Sequence, residues 1–104
     1  MSKPRIRFGA FIANHAPNDE SAAASIQFDL DLVEMLDKLD YDEAWFGEHH
    51  SGGWEIYPSP EVMIGAASQR TSRIKLGTGV VSLPYHHPFH VADRLRQIEY
   101  LCRG

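Results

Sequence analysis

The chain has 104 residues, 43% of them hydrophobic and 23% charged, with a formal net charge of −4. That is globular composition and enough length for one ordinary domain, which excludes a disordered chain. The acidic balance, with no basic cluster, excludes a nucleic-acid partner bound through its phosphates.

Cys102 is the only cysteine, so no internal disulfide can form, and a reducing compartment fits. Its plain reading is a half-buried residue near a helix end; the alternative is a reactive thiol. The apolar run that follows the basic N-terminus is too short for a signal-peptide core. No stretch approaches the roughly 20 apolar residues of a membrane span. These features read as a cytoplasmic chain with no membrane partner.

Residues 6–13 (Ile-Arg-Phe-Gly-Ala-Phe-Ile-Ala) read as a buried first strand. Residues 14–19 (Asn-His-Ala-Pro-Asn-Asp) carry turn chemistry and read as a loop. Residues 21–39 read as a helix: Ile26, Leu30 and Val33 share one stripe, widened by Phe28, Leu32, Met35 and Leu39. Asp31, Glu34 and Asp37 give that helix a solvated face. Asp40-Tyr41-Asp42 ends it, and residues 44–47 form the second strand.

Ser59-Pro60-Glu61 marks a helix start. Ser59 can cap free amides, Pro60 suits the first turn, and Glu61 favours the positive end of the helix dipole. The helix runs to about Arg70. An anion site at its start is the alternative, but Glu61 stands where an anion would sit. Residues 74–81 (Ile-Lys-Leu-Gly-Thr-Gly-Val-Val) form the third strand. Gly77 and Gly79 within it suggest a bulge, or close approach of a ligand or another backbone. No third glycine follows at the required spacing, so a dinucleotide-binding fingerprint fails. Pro88 opens the third helix, in which Val91, Leu95, Ile98 and Cys102 repeat at helical spacing. Arg94, Arg96 and Glu99 read as its solvent side.

The alternation of strand and helix predicts an α/β fold with parallel strands. In such folds the loops after the strands share one sheet edge, and ligands bind there. Those loops hold five of the six histidines: His15, His49, His50, His86 and His87. Imidazoles titrate near neutrality and can move protons at working pH. Glu48 could orient a neighbouring imidazole. Because successive strand residues point to opposite faces, one of His49 and His50 at most should face a given pocket. Glu48 and His50 could share a face, yet a metal site would need a third ligand from another loop, and no metal is assigned. Loop and helix-start roles are the plain reading of His86, His87 and His90. Trp45 and Phe46 read as core, and loop-borne Trp54 as the better candidate to stack on a flat ligand.

Several stretches, in order, resemble the luciferase-like flavin monooxygenases. They are Arg7-Phe8-Gly9-Ala10-Phe11, Leu39 through Trp45, Glu48-His49-His50, Leu76 through Pro84, and His87-Pro88. Trp54-Glu55-Ile56 together with Val80 through Pro88 is most similar to the limonene-monooxygenase-type branch.

The resemblance implies a (β/α)8 TIM barrel. It also implies oxygenation of a small apolar substrate by O2 and reduced FMN, supplied by a separate NAD(P)H reductase. His49 matches the catalytic histidine, with Glu48 supporting it. Gly79, Val80 and Ser82 match the residues that line the flavin, and relatives can carry a non-proline cis peptide at Gly79-Val80. Asp40 stands where relatives usually have glycine. A complete barrel needs about 250 residues. Residues 1–104 therefore read as one partial domain of three strand–helix units, ending before a fourth strand. Two other readings stand beside this one: an F420-dependent oxidoreductase of the same superfamily, and a non-catalytic chain that acts only by association. Three strands leave the inner face of a barrel without an opposite wall, so self-association of the chain is expected.

Overall fold

Three short parallel strands form one sheet in the order β1-β2-β3. They are β1 (Gly9–Ile12), β2 (Glu43–Phe46) and β3 (Lys75–Thr78). Helices α1 (Ala22–Lys38), α2 (Pro60–Ser68) and α3 (Pro88–Leu101) follow them in turn, with a short 3-10 turn at Leu83–Tyr85 before α3. The structure, a computed structural model, describes residues 5–13, 15–17 and 21–104. Asn14 and residues 18–19 of the predicted first loop lie outside the described residues, as do residues 1–4.

The register decides which side chains share a face. Ala10, Ala44 and Leu76 form one row across the sheet, and Ile12, Phe46 and Thr78 another. These rows face the helices: Ile12, Ala44 and Phe46 are buried with Leu30, Val33 and Leu36 of α1 and with Met63, Ile64 and Ala67 of α2. The alternate rows, Gly9-Glu43-Lys75 and Phe11-Trp45-Gly77, face the other way. Among the described residues no helix covers them, and Phe11 stays 58% exposed and Trp45 41% exposed. The first strand is therefore buried on one face only, and it is shorter than its apolar run suggested. Trp45, expected in the core, lies on the open face, because residue parity rather than apolarity chooses the side. The apolar stripe of α1 is likewise narrower than read, since Phe28, Met35 and Leu39 are exposed.

Helix ends follow from local chemistry. Ser21 caps α1, its Oγ accepting from Ala24 N at 3.4 Å. At the other end Asp40 adopts φ 65°. Its N–H donates to Asp37 O and that of Tyr41 to Leu36 O, the two reverse bonds of a Schellman end. Asp37 then fastens the entry to β3, its carboxylate accepting from the backbone N–H groups of Ser72, Arg73 and Ile74 at 2.7–3.0 Å. Burial raises the Asp37 carboxyl, but these bonds outweigh it and hold the group below the usual aspartate range.

Pro60 and Pro88 occupy first-turn positions as predicted. Ser59 does not cap α2; its hydroxyl donates to Glu61 Oε2 at 2.8 Å instead. His87 caps α3 by accepting from Phe89 N at 3.2 Å. Cys102 is exposed rather than half-buried. Among the described residues no helix is long and apolar enough to cross a membrane.

Candidate active site at the carboxyl edge of the sheet

The three loops after the strands meet, as parallel topology requires, and specific bonds join them. His15 and Glu55 form an antiparallel bridge, Ala16 N donates to Trp54 O at 2.6 Å, and the rings of His15 and Trp54 stack with centroids 5.1 Å apart. The first loop is thus tied to the second. Trp54, read from the sequence as the better candidate to stack on a flat ligand, stacks on His15.

Glu48 ties the second loop to the third. Its side chain has no exposed surface. Oε1 accepts from His50 Nε2 and from His86 Nε2, each at 2.7 Å, and Oε2 accepts from Ser82 N at 2.8 Å. Burial pushes this carboxyl up, but the bonds from His50, the Ser82 amide and His86 outweigh it. The group therefore lies below the usual glutamate range. Behind His86 stands Arg94, with Nη2 3.5 Å from His86 Nδ1 and Nε bonded to buried Glu61 at 3.2 Å. Arg94, read from the sequence as solvent-side, closes this cluster, and Glu61 fills its own helix start. His86, read as loop structure, is part of it too.

Glu48, His50 and His86 bring ligand atoms within 4.8 Å of one another, so the third residue from another loop does exist. Their chemistry is that of a hydrogen-bonded carboxylate. A guanidinium only donates, so His86 Nδ1 accepts and the proton of neutral His86 sits on Nε2, aimed at Glu48. The arginine's charge also opposes a cation there.

His49 points the other way. A methyl group built on Gly47 would meet His49 Nε2 at 3.3 Å and Phe11 Cζ at 3.7 Å, which places the imidazole on the open side of the sheet with Phe11. Its Nδ1 lies 3.2 Å from Glu55 Oε2. Glu48 bonds His50 and His86 rather than His49, beside which the sequence placed it, and the carboxylate near His49 is Glu55. The expectation that His49 and His50 part company holds. Gly77 and Gly79 do permit a close approach, but by neighbouring rings: a methyl group at Gly77 would lie 2.6 Å from Trp45 and one at Gly79 3.0 Å from Phe11. The Gly79-Val80 peptide is cis. Glu55 and Arg94 were missed on sequence. The only signal for Glu55 is the turn before it, where Ser51 and Gly53 take positive φ and swing the chain back.

A family profile described as luciferase-like monooxygenase matches residues 6–104. The chain belongs to the luciferase-like monooxygenase family. Over 100 residues it is 60% identical to limonene 1,2-monooxygenase of Rhodococcus erythropolis, an alignment covering 96% of this chain and 26% of that protein. It is 54% identical to 4-hydroxyprotoasukamycin monooxygenase of Streptomyces nodosus subsp. asukaensis, covering 96% and 27%. Among solved structures, the FMN complex of the oxygenating constituent of 3,6-diketocamphane monooxygenase from Pseudomonas putida superposes with a TM-score of 0.89. The identity is 25%, with coverage of 96% of this chain and 28% of that one. This luciferase-like chain thus spans about a quarter of the length of the relatives it matches. Its three strand–helix units correspond to a portion of a (β/α)8 barrel.

Proposed function

We propose that this chain supplies three strand–helix units, and the acid/base edge, of a flavin-dependent monooxygenase. The enzyme would oxygenate a small apolar organic molecule with O2 and reduced FMN. The observation that carries this reading is the placement of His49. It stands at the carboxyl edge on the open face, on the side of Phe11, whose ring also lies against Gly79, with a carboxylate behind its inner nitrogen.

The open face fits a flat conjugated ring. Phe11, Trp45 and Val80 offer exposed apolar surface, and Gly77 and Gly79 let the two aromatic rings lie flush with β3. When bound, the reduced flavin supplies the electrons that activate oxygen. Gly79 and Val80 would back the ring. The Ser82 amide is already bonded to Glu48 and its carbonyl accepts from Tyr85 N, so Ser82 would contribute its hydroxyl. His49 would exchange a proton at Nε2 with the reacting oxygen or substrate. Glu48, placed with the catalytic group on sequence, acts here by holding the Ser82 loop in position.

The FMN bound by the diketocamphane relative supports FMN over F420, and its description as an oxygenating constituent supports reduced flavin arriving from a separate reductase. Substitution of this chain for the matching segment of limonene 1,2-monooxygenase tests the proposal. With FMN, a reductase and O2, the chimera should oxygenate limonene. His49→Ala should reduce turnover by about 10²-fold or more, the scale of a lost acid/base group, and His50→Ala by less. A chimera in which His50→Ala is the more damaging would place the proton-transfer group on the wrong histidine.

A further inference from the structure

We propose that Glu55 is the positioning residue of His49: it takes the Nδ1 hydrogen and leaves a bare Nε2 facing the open side of the sheet. His49 Nδ1 and Glu55 Oε2 stand 3.2 Å apart as a close ion-pair contact, and a carboxylate, which only accepts, favours the hydrogen on the nearer nitrogen. A neutral imidazole has one N–H, which makes Nε2 an acceptor. The other oxygen of Glu55 lies 3.6 Å from His15 Nε2, so the two oxygens serve two loops. The backbone of Glu55 is fixed by its bridge to His15 and by the adjoining bond from Ala16 N to Trp54 O. Gly52 supplies the space: a methyl group there would lie 2.5 Å from Glu55 Oε2. Glu48, the nearest carboxylate in sequence, is saturated by His50, His86 and Ser82 and cannot serve His49.

The catalytic meaning of this arrangement rests on the acid/base reading of His49; the tautomer itself does not. Long-range proton–nitrogen NMR on the chain with nitrogen-15 histidine reads the tautomer directly, at alkaline pH where imidazoles are neutral. His49→Gln identifies the signals, and magic-angle spinning gives the same shifts if the chain associates. The native chain should show His49 chiefly as the Nδ1–H form. Glu55→Ala should move the ratio toward Nε2–H by about tenfold or more, as expected for loss of a charged acceptor beside Nδ1. Glu55→Gln, whose amide oxygen still accepts, should retain part of it. Gly52→Ala should shift the ratio as Glu55→Ala does while leaving both partners' chemistry intact. If Glu55→Ala fails to fold by circular dichroism, the Gln and Gly52 variants decide. A native His49 chiefly in the Nε2–H form, or a ratio indifferent to all three substitutions, overturns the proposal. A limonene chimera that keeps full turnover with His49→Ala would overturn the acid/base reading and leave the tautomer result standing.

Discussion

Glu48 and Glu55 flank one glycine-rich loop and hold different histidines, so each carboxylate has a separate consequence. Removing Glu48 would leave the half-buried Ser82 amide and His86, and the more exposed His50, without their shared acceptor. Glu48→Ala should therefore cost about 2–3 kcal/mol, the scale of an unsatisfied buried group, and Glu48→Gln less. The pH dependence has a definite sign. Glu48 lies below its ordinary value in the folded chain, so its contribution is fully present above about 4.3, the unperturbed glutamate value. That contribution is lost as pH falls from there through the lowered native value. Urea midpoints measured down this acid range should fall less steeply for Glu48→Gln than for the native chain. Parallel curves would mean that the carboxylate is not held by these bonds.

At the scale of elements, the ends of helices were the most legible features, because caps and prolines act locally. Pro60 and Pro88 start α2 and α3 where the sequence put them. Asp40 is left-handed, as a helix end in place of glycine implied. Its carboxylate pairs with Arg73 at 2.7 Å, but the side chain is 83% exposed and such a pair contributes little. A left-handed backbone is unfavourable for a residue with a Cβ and free for glycine. Asp40→Gly should thus raise stability by about 0.5–1 kcal/mol, read as a higher thermal midpoint by circular dichroism. A lower midpoint would show that the Arg73 pair outweighs the backbone term. The cap of α2 was read wrongly for an equally local reason: Ser59 had a better partner in Glu61, two residues on.

For the molecule as a whole, the layers are unequal. The helix face of the sheet is closed by α1 and α2, while the opposite face presents Phe11 and Trp45 to solvent. Among the described residues β1 and β3 each have one free edge, since only β2 is paired on both sides. An apolar face between two open edges favours pairing with a second copy. The 104-residue chain should therefore self-associate, bind FMN weakly and show no oxygenation alone. Size exclusion with light scattering, followed by a flavin fluorescence titration, checks this. A monodisperse monomer with micromolar or better FMN affinity would show that these units hold more of the flavin site than the open face suggests.

The sequence by itself determined the order of elements, the parallel sheet and the gathering of His15, His49, His50 and His86 at one edge. Periodicity, caps and strand–loop order are properties of neighbours along the chain. It also determined that His49 and His50 would face apart, because alternation along an extended segment needs no tertiary information. Only the tertiary structure decided which acid serves which histidine. Glu55 reaches His49 through a turn whose direction depends on Ser51 and Gly53, and Glu48 reaches His86 across two loops. It also decided that Trp45 lies open while Phe46 is buried. Both are apolar and adjacent, and only the helices packed on one face of the sheet distinguish them.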